Sequence, residues 1–380
     1  MSTTSKSPRK VALVALAVAK DALPAYAHRF SPKTYTQHQL FACLALKAFF
    51  KTDYRGIATI LSDLPDLRKA IGMRRVPHFT TLQKAGRRML LSASANRLLD
   101  ATVRKAMKSR RGVALAAVDS SGLESRHVSR YFVRRRSREP GLWQTTTYMR
   151  FPKLGVVCDC GNHLILSTLL TRGPSPDINQ FQRTLMPALR RVTIDKLTAD
   201  AGYDSEANHV FARDVCGIET IIPPRHGRPT ARPPTGRYRR LMAERFDKEN
   251  YGQRWQVETV FSMIKRNLGS SLRGRSYWSQ CRDMMLLALV HNITILLCHP
   301  ELFYRAGQEP FFDGWRGLRI AAAWSTKPRA KSGLPGVVRP GRSREQPRRP
   351  LARALAAGLG MYACFARARL RVGERESERD

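Results

Sequence analysis

The chain reads as a mixed α/β sheet flanked by helices, with a small N-terminal all-α domain ahead of it and a disordered basic tail behind it. Three observations predict this. The segment GVALAAVD is a continuous apolar run closed by Asp119, the pattern of a strand buried on both faces. The segment KLGVVCDCGNHLILSTLLTRG holds two apolar runs joined at Asp159–Asn162, a hairpin signal. After it, helical and strand patterns alternate, as they do when helices cover a sheet.

Residues 1–30 read as a flexible lead-in whose short apolar patch is broken by Lys20. Residues 31–108 read as helical. FACLALKAFF has a period near 3.6, DYRGIATILSDLPDLRKAIG is broken at Pro65 and Gly72, and VPHFTTLQKAGRRMLL leads into a basic helix. This domain is a candidate DNA binder: a helix-turn-helix and a plain three-helix packing fit it equally, and no base-reading residue stands out.

Residues 109–310 form the α/β region. Ser125–Arg150 carries Arg126, Arg130, Arg134, Arg135, Arg136 and Arg138 interleaved with Tyr131, Phe132 and Trp143. A solvated loop and a phosphate-tracking surface both fit that composition. The hairpin is followed by a helix over Ile178–Arg190, a strand KLTAD ending at Asp200, a tight exit at Gly202, and a helix over Ser205–Cys216. IETIIP is a further strand, and the Pro- and Arg-rich loop Pro223–Arg237 leads into a long helix. The run Met284–Cys298 contains His291 and Asn292 and is too short to span a bilayer, so it reads as a buried helix. Residues 325–380 are rich in Arg, Pro, Ala and Gly and read as the disordered tail, with a short helix around Leu351–Leu370.

Lys and Arg number 67 against 29 Asp and Glu, a net charge of +38. The last 60 residues hold 14 basic and five acidic residues, so most of the excess lies ahead of the tail. A charge of that size calls for a polyanion, and nucleic acid is the default partner. A packaging protein would be equally basic, so charge does not separate enzyme from scaffold. Seven scattered cysteines fit reduced thiols in a cytosol. Cys158 and Cys160 lack the further ligands of a zinc site, and His127, His163 and His226 read as surface or turn residues.

The segment YGQRWQVETVFSMIK is the most specific in the chain. Tyr251, Arg254, Glu258 and Lys265 fall on one face of a helix, beside an apolar stripe of Val257, Phe261, Ile264 and Leu268. With Asp119 and Asp200 at strand ends, Glu258 is a third acid at one sheet edge. Three close carboxylates repel each other unless cations lie among them, and Mg²⁺ suits such oxygen donors. Two ions can clamp the attacking and leaving oxygens of a phosphodiester displacement.

VDSSGL, TADAGYDS and Y-x2-R-x3-E-x6-K, in that order, resemble the DDE transposases of bacterial insertion sequences, in the group around insertion-sequence families four and five. The resemblance runs from about Gln37 to Leu297, and the signature helix agrees at all four positions. It implies an RNase H-like catalytic fold with Asp119, Asp200 and Glu258 as catalytic metal ligands. Two Mg²⁺ ions are the implied cofactor, with Mn²⁺ as a substitute. Arg254 and Lys265 would hold DNA phosphates, and Tyr251 a phosphate or flipped base. The short gap between Asp200 and Glu258 implies a compact catalytic domain without a large insertion.

The implied activity is metal-dependent cleavage at terminal inverted repeats, then strand transfer of the element into target DNA. The implied partners are double-stranded DNA and a second copy in a synaptic homodimer, in a bacterial cytoplasm at the nucleoid. The alternatives are an RNase H-fold DNA nuclease without strand transfer, and a catalytically dead basic DNA-binding protein. The tail matches nothing in this group: a reading-frame slip and a genuine basic DNA-binding tail both account for it.

Overall fold

Local signals of capping and periodicity set the helices. A computed structural model of the chain describes residues 6–91, 93–108, 112–125, 130–136, 143–149, 151–224 and 233–298. The tail expected over 325–380 lies outside these residues. Six helices come first: α1 (Pro8–Ala22), α2 (Gln37–Phe49), α3 (Tyr54–Asp63), α4 (Pro65–Ala70), α5 (Phe79–Met89) and α6 (Ala93–Met107). Ser7 caps α1, its Oγ accepting from Lys10 N at 3.3 Å, with Pro8 in the first turn. A Thr36/Gln39 capping box opens α2.

Helix α1 corrects the expectation of a flexible lead-in over 1–30. Its Val11, Ala12, Ala15, Val18 and Ala19 are wholly buried. Small side chains on that face let α2 and α6 approach closely. The patch around Lys20 is therefore core, and Lys20 itself stays exposed at the helix end.

The sheet follows. The strands are β1 (Gly112–Gly122), β2 (Glu124–Ser125), β3 (Arg130–Arg136), β4 (Trp143–Met149), β5 (Phe151–Asp159) and β6 (Ile165–Gly173). Next come helix α7 (Phe181–Leu189), β7 (Thr193–Ala199), helix α8 (Glu206–Val210) and β8 (Glu219–Ile221). The helix expected over Ser205–Cys216 widens after α8 into a π-helical turn at Phe211–Val215. Helices α9 (Arg237–Glu244), α10 (Lys248–Gly252) and α11 (Trp255–Leu268), strand β9 (Ser271–Leu272) and helix α12 (Tyr277–Cys298) complete the order. The main sheet runs β6-β5-β1-β7-β8, with β5 antiparallel to β6 and β1, and β1, β7 and β8 parallel. Within the basic segment 125–150, β3 and β4 pair as a separate antiparallel ribbon.

Helices cover both faces of the sheet. Consecutive residues of β6 point to opposite sides. Ser167 donates to Thr184 O of α7 at 2.6 Å, while Thr168 meets the Met285 sulfur of α12 at 3.9 Å. Helix α12 has 22 residues, not the 15 of its apolar run, because Tyr277–Asp283 extend it. By length and composition it could cross a membrane, yet most of it is buried within this protein. It is the central core helix, packing on α1, α2, α6, β5 and β6.

The polar residues of α12 explain why it fits here. Asn292, fully buried, serves the outer edge of β6 as a strand would: it accepts from Ile165 N at 2.9 Å and donates to Ile165 O at 2.8 Å. Its Nδ2 also reaches Thr102 Oγ1 of α6 at 3.0 Å. Asn292→Leu keeps the volume but leaves buried groups unpaired, so urea denaturation should show a loss of about 2–4 kcal/mol. A loss below about 1 kcal/mol would mean that these bonds are replaceable.

Candidate active site

Register places the first two carboxylates. Val118 of β1 pairs with Ala199 of the parallel strand β7, so the next residues, Asp119 and Asp200, stand side by side. Adjacent strands lie roughly 4.8 Å apart. Strand β1 does not end at Asp119 as the sequence suggested. Ser120, Ser121 and Gly122 continue the ladder opposite Gly155, Leu154 and Lys153 of β5. Asp200 sits just past its strand and caps the turn Ala201–Tyr203, accepting from Gly202 N at 2.9 Å. A Cβ at residue 202 would lie 2.9 Å from Asp200 Oδ1, which is why glycine fits that turn.

The alternation of β1 then sorts its neighbours. Ser121 accepts from Lys265 Nζ of α11 at 2.8 Å. Ser120 points the other way, its Oγ donating to Asp177 Oδ1 at 2.7 Å. Asp177 is paired with buried Lys153 at 2.7 Å. Tyr203 lies buried beside this cluster, its hydroxyl pKa raised by burial and then by Asp177 and Asp119, so it stays protonated. Asp177 and Lys153 were not read as site residues. Lys153, a lysine within an apolar strand pattern, was the available signal, whereas nothing local marks Asp177.

The signature helix is two helices. Tyr251 lies in α10, its ring against Phe246 at 4.9 Å. The chain turns at Gln253, and Arg254 caps α11. So Tyr251 lies on a separate short helix from Glu258 and Lys265, and its charge acts on Arg254 at the junction. The predicted apolar stripe holds: Val257, Phe261, Ile264 and Leu268 are buried, joined by Val260. Glu258 falls in the first turn, where the helix dipole favours a carboxylate. Trp255, which the sequence reading passed over, is an exposed ring at the start of α11.

Arg254 connects the two halves of the site. Its Nη2 meets Glu258 Oε1 at 2.5 Å. Burial works to lower its pKa, and the hydrogen bond and charge of Glu258, then the charges of Tyr251 and Asp119, outweigh that. Asp119 and Asp200 are thus brought together, and Glu258 is held on Arg254, which feels the charge of Asp119. Among the described residues no group of three or more His, Cys, Asp or Glu is close enough to hold a metal ion as it stands. The donor chemistry of Asp119 and Asp200 nonetheless suits a hard cation, since two carboxylates lie together with one partly buried.

Burial pushes the Asp119 carboxyl up to about 6, with Asp200 and Asp177 adding to the rise and Ser120 N–H and Arg254 opposing it. The folded state therefore holds this proton more tightly than the unfolded chain, whose value is near 3.8. The stability contribution is complete below about pH 4 and is lost as pH rises through about 6. Asp119→Asn should raise the metal-free protein's stability by about 1–2 kcal/mol at pH 8 and leave it unchanged at pH 4. Thermal denaturation at the two pH values measures this, and a variant no more stable at pH 8 would contradict the burial of this carboxyl.

A family profile described as a transposase DDE domain matches residues 97–293, just over half of the chain. The span begins in α6, takes in Asp119, Asp200 and Glu258, and ends in α12. Among solved structures, the chain is similar to a Mos1 transposase paired-end complex with left transposon end, at 11% identity over 65% of this chain and 82% of that one, TM-score 0.19. It is similar to a Mos1 mariner paired end complex with Mn at 13% identity over 69% and 79%, TM-score 0.19. A pre-cleavage Mos1 transpososome matches at 12% identity over 74% and 83%, TM-score 0.20. No curated protein sequence matches the chain. With its three motifs inside the matched span, the chain belongs to the DDE transposase family.

Proposed function

We propose that the protein is an insertion-sequence transposase that cuts DNA at terminal inverted repeats and joins the freed end to target DNA, with Mg²⁺ as cofactor. The observation that carries this reading is the side-by-side position of Asp119 and Asp200 at the ends of two parallel strands, with Glu258 bonded to Arg254, which feels the charge of Asp119. The strand order β6-β5-β1-β7-β8, with β1 central, supports reading the sheet as RNase H-like.

Asp119 and Asp200 would hold the metal, and Glu258 would join them when its carboxylate leaves Arg254. When bound, Mg²⁺ supplies Lewis-acid stabilisation of charge on the phosphoryl oxygens and makes water a better nucleophile. Arg254, released from Glu258, would hold a phosphate beside the cut. Lys265, now on Ser121, would hold a second one. Tyr251 would contact the neighbouring phosphate or an extruded base. The helices of 31–108 would supply further DNA contacts, and a homodimer would pair the two ends, in a bacterial cytoplasm at the nucleoid. The net charge of +38 supports a DNA partner.

The test is nicking of a supercoiled plasmid that carries the element's terminal repeats. Asp119→Asn, Asp200→Asn and Glu258→Gln should each abolish Mg²⁺-dependent nicking and leave DNA binding nearly intact. Any of the three that cuts within about tenfold of wild type, a barrier change of about 1.4 kcal/mol, is not a ligand. Joined product from wild type would support strand transfer, and nicking without joining would reduce the activity to that of a nuclease.

Arg254→Ala and Lys265→Ala should each lower the slope of log affinity against log salt by about 1, one phosphate contact each. Binding titrations across a salt series measure it. Unchanged slopes in both would return these residues to a structural role.

A further inference from the structure

A large exposed ring on a basic protein is ordinarily scattered surface. Trp278 has a more specific setting. It is 60% exposed and leans on Tyr277, with ring centroids 5.2 Å apart and planes tilted by 54°. Tyr277 is itself anchored: its hydroxyl donates to Leu170 O of β6 at 3.4 Å, and the Arg172 guanidinium lies over its ring at 4.1 Å. Arg172, Arg273 and Arg275 are all exposed. Cation, tyrosine and tryptophan thus form a short ladder with an accessible outer ring.

The ladder lies at the end of the sheet that carries the acids. β5 is antiparallel to both neighbours, so the ends of β1 and β6 lie at the same edge. Gly122 of β1 pairs with Lys153, and Gly173, next to Arg172, pairs with Phe151. β6 is two strands from β1, on the order of 10 Å. Gln280, one turn into α12, donates to Ser125 Oγ at 2.8 Å, which ties this corner to the segment leaving β1.

An apolar protein surface fits poorly here, because docking it would strip water from several guanidinium groups. A nucleobase offers a π face for the tryptophan, and its phosphates match the arginines. We propose that Arg172, Tyr277 and Trp278 form a stacking platform for an unpaired DNA base beside the cleavage site. This deepens the transposase reading and rests on DNA lying along that sheet edge.

The experiment compares binding of the full-length chain, without metal, to a blunt duplex and to the same duplex with a three-nucleotide unpaired overhang, by fluorescence anisotropy. Trp278→Ala should weaken overhang binding about tenfold or more. Trp278→Phe should restore most of it. Blunt-duplex affinity, the salt slope and the thermal midpoint should stay at wild-type values. Overhang binding by Trp278→Ala within about twofold of wild type, or an equal loss on the blunt duplex, would overturn the proposal. So would a loss of self-association in light scattering with DNA binding unchanged, which would assign Trp278 to a second copy of this chain. Because no cleavage is read, the platform is tested even where wild type fails to nick DNA, the outcome that would sink the transposase reading alone.

Discussion

The parallel pairing of β1 with β7 is the constraint on which the rest of the site depends. Val118 opposite Ala199 puts Asp119 beside Asp200, and a slip of one residue would turn one carboxylate to the other face. Burial resists that slip: Ala117, Val118, Leu197 and Ala199 are wholly buried, so the register is fixed by apolar packing that the acids do not share. Core energy thereby holds two like charges together. The Asp119 carboxyl is raised mainly by that burial, with Asp200 adding a smaller part.

Around the pair, three cations each hold a neighbouring acid or hydroxyl. Arg254 holds Glu258, Lys265 holds Ser121, and Lys153 holds Asp177. The result is an acidic notch on a strongly basic chain. On the proposed reading, basic surroundings would draw DNA in, whereas the paired carboxylates would repel a phosphate until a cation lay between them.

Much of this was legible because it is written locally. A continuous apolar run marked β1, the short segment KLTAD marked β7, turn residues marked the β5–β6 hairpin, and the 3.6-residue period marked the buried face of α11. Asp119 was read as the strand end because it closes the apolar run, and two serines follow it. Those serines stay in the ladder only because β5 is there to pair with them. Helix α1 was read as a loose lead-in because its apolar patch is short. Its burial comes from α2, α6 and α12, which no local window contains. Tyr251 was placed on the face of Glu258 by counting residues, and the turn at Gln253 interrupts the count. Asp177 left no local trace, since its partners Ser120 and Lys153 are 57 and 24 residues away in the chain. Glu258 was found, but its hold on Arg254 was not, because an i,i+4 pair at a helix end reads equally as a surface bridge.

Anomalous scattering from Mn²⁺, in crystals of the chain bound to its terminal-repeat DNA, bears most directly on the shared carboxylate site. The expected map has a peak bound by both Asp119 and Asp200, with Glu258 turned away from Arg254 toward it. A map with no peak between the two aspartates, or with its strongest protein-bound peak elsewhere, would contradict a cation site built by the β1–β7 register.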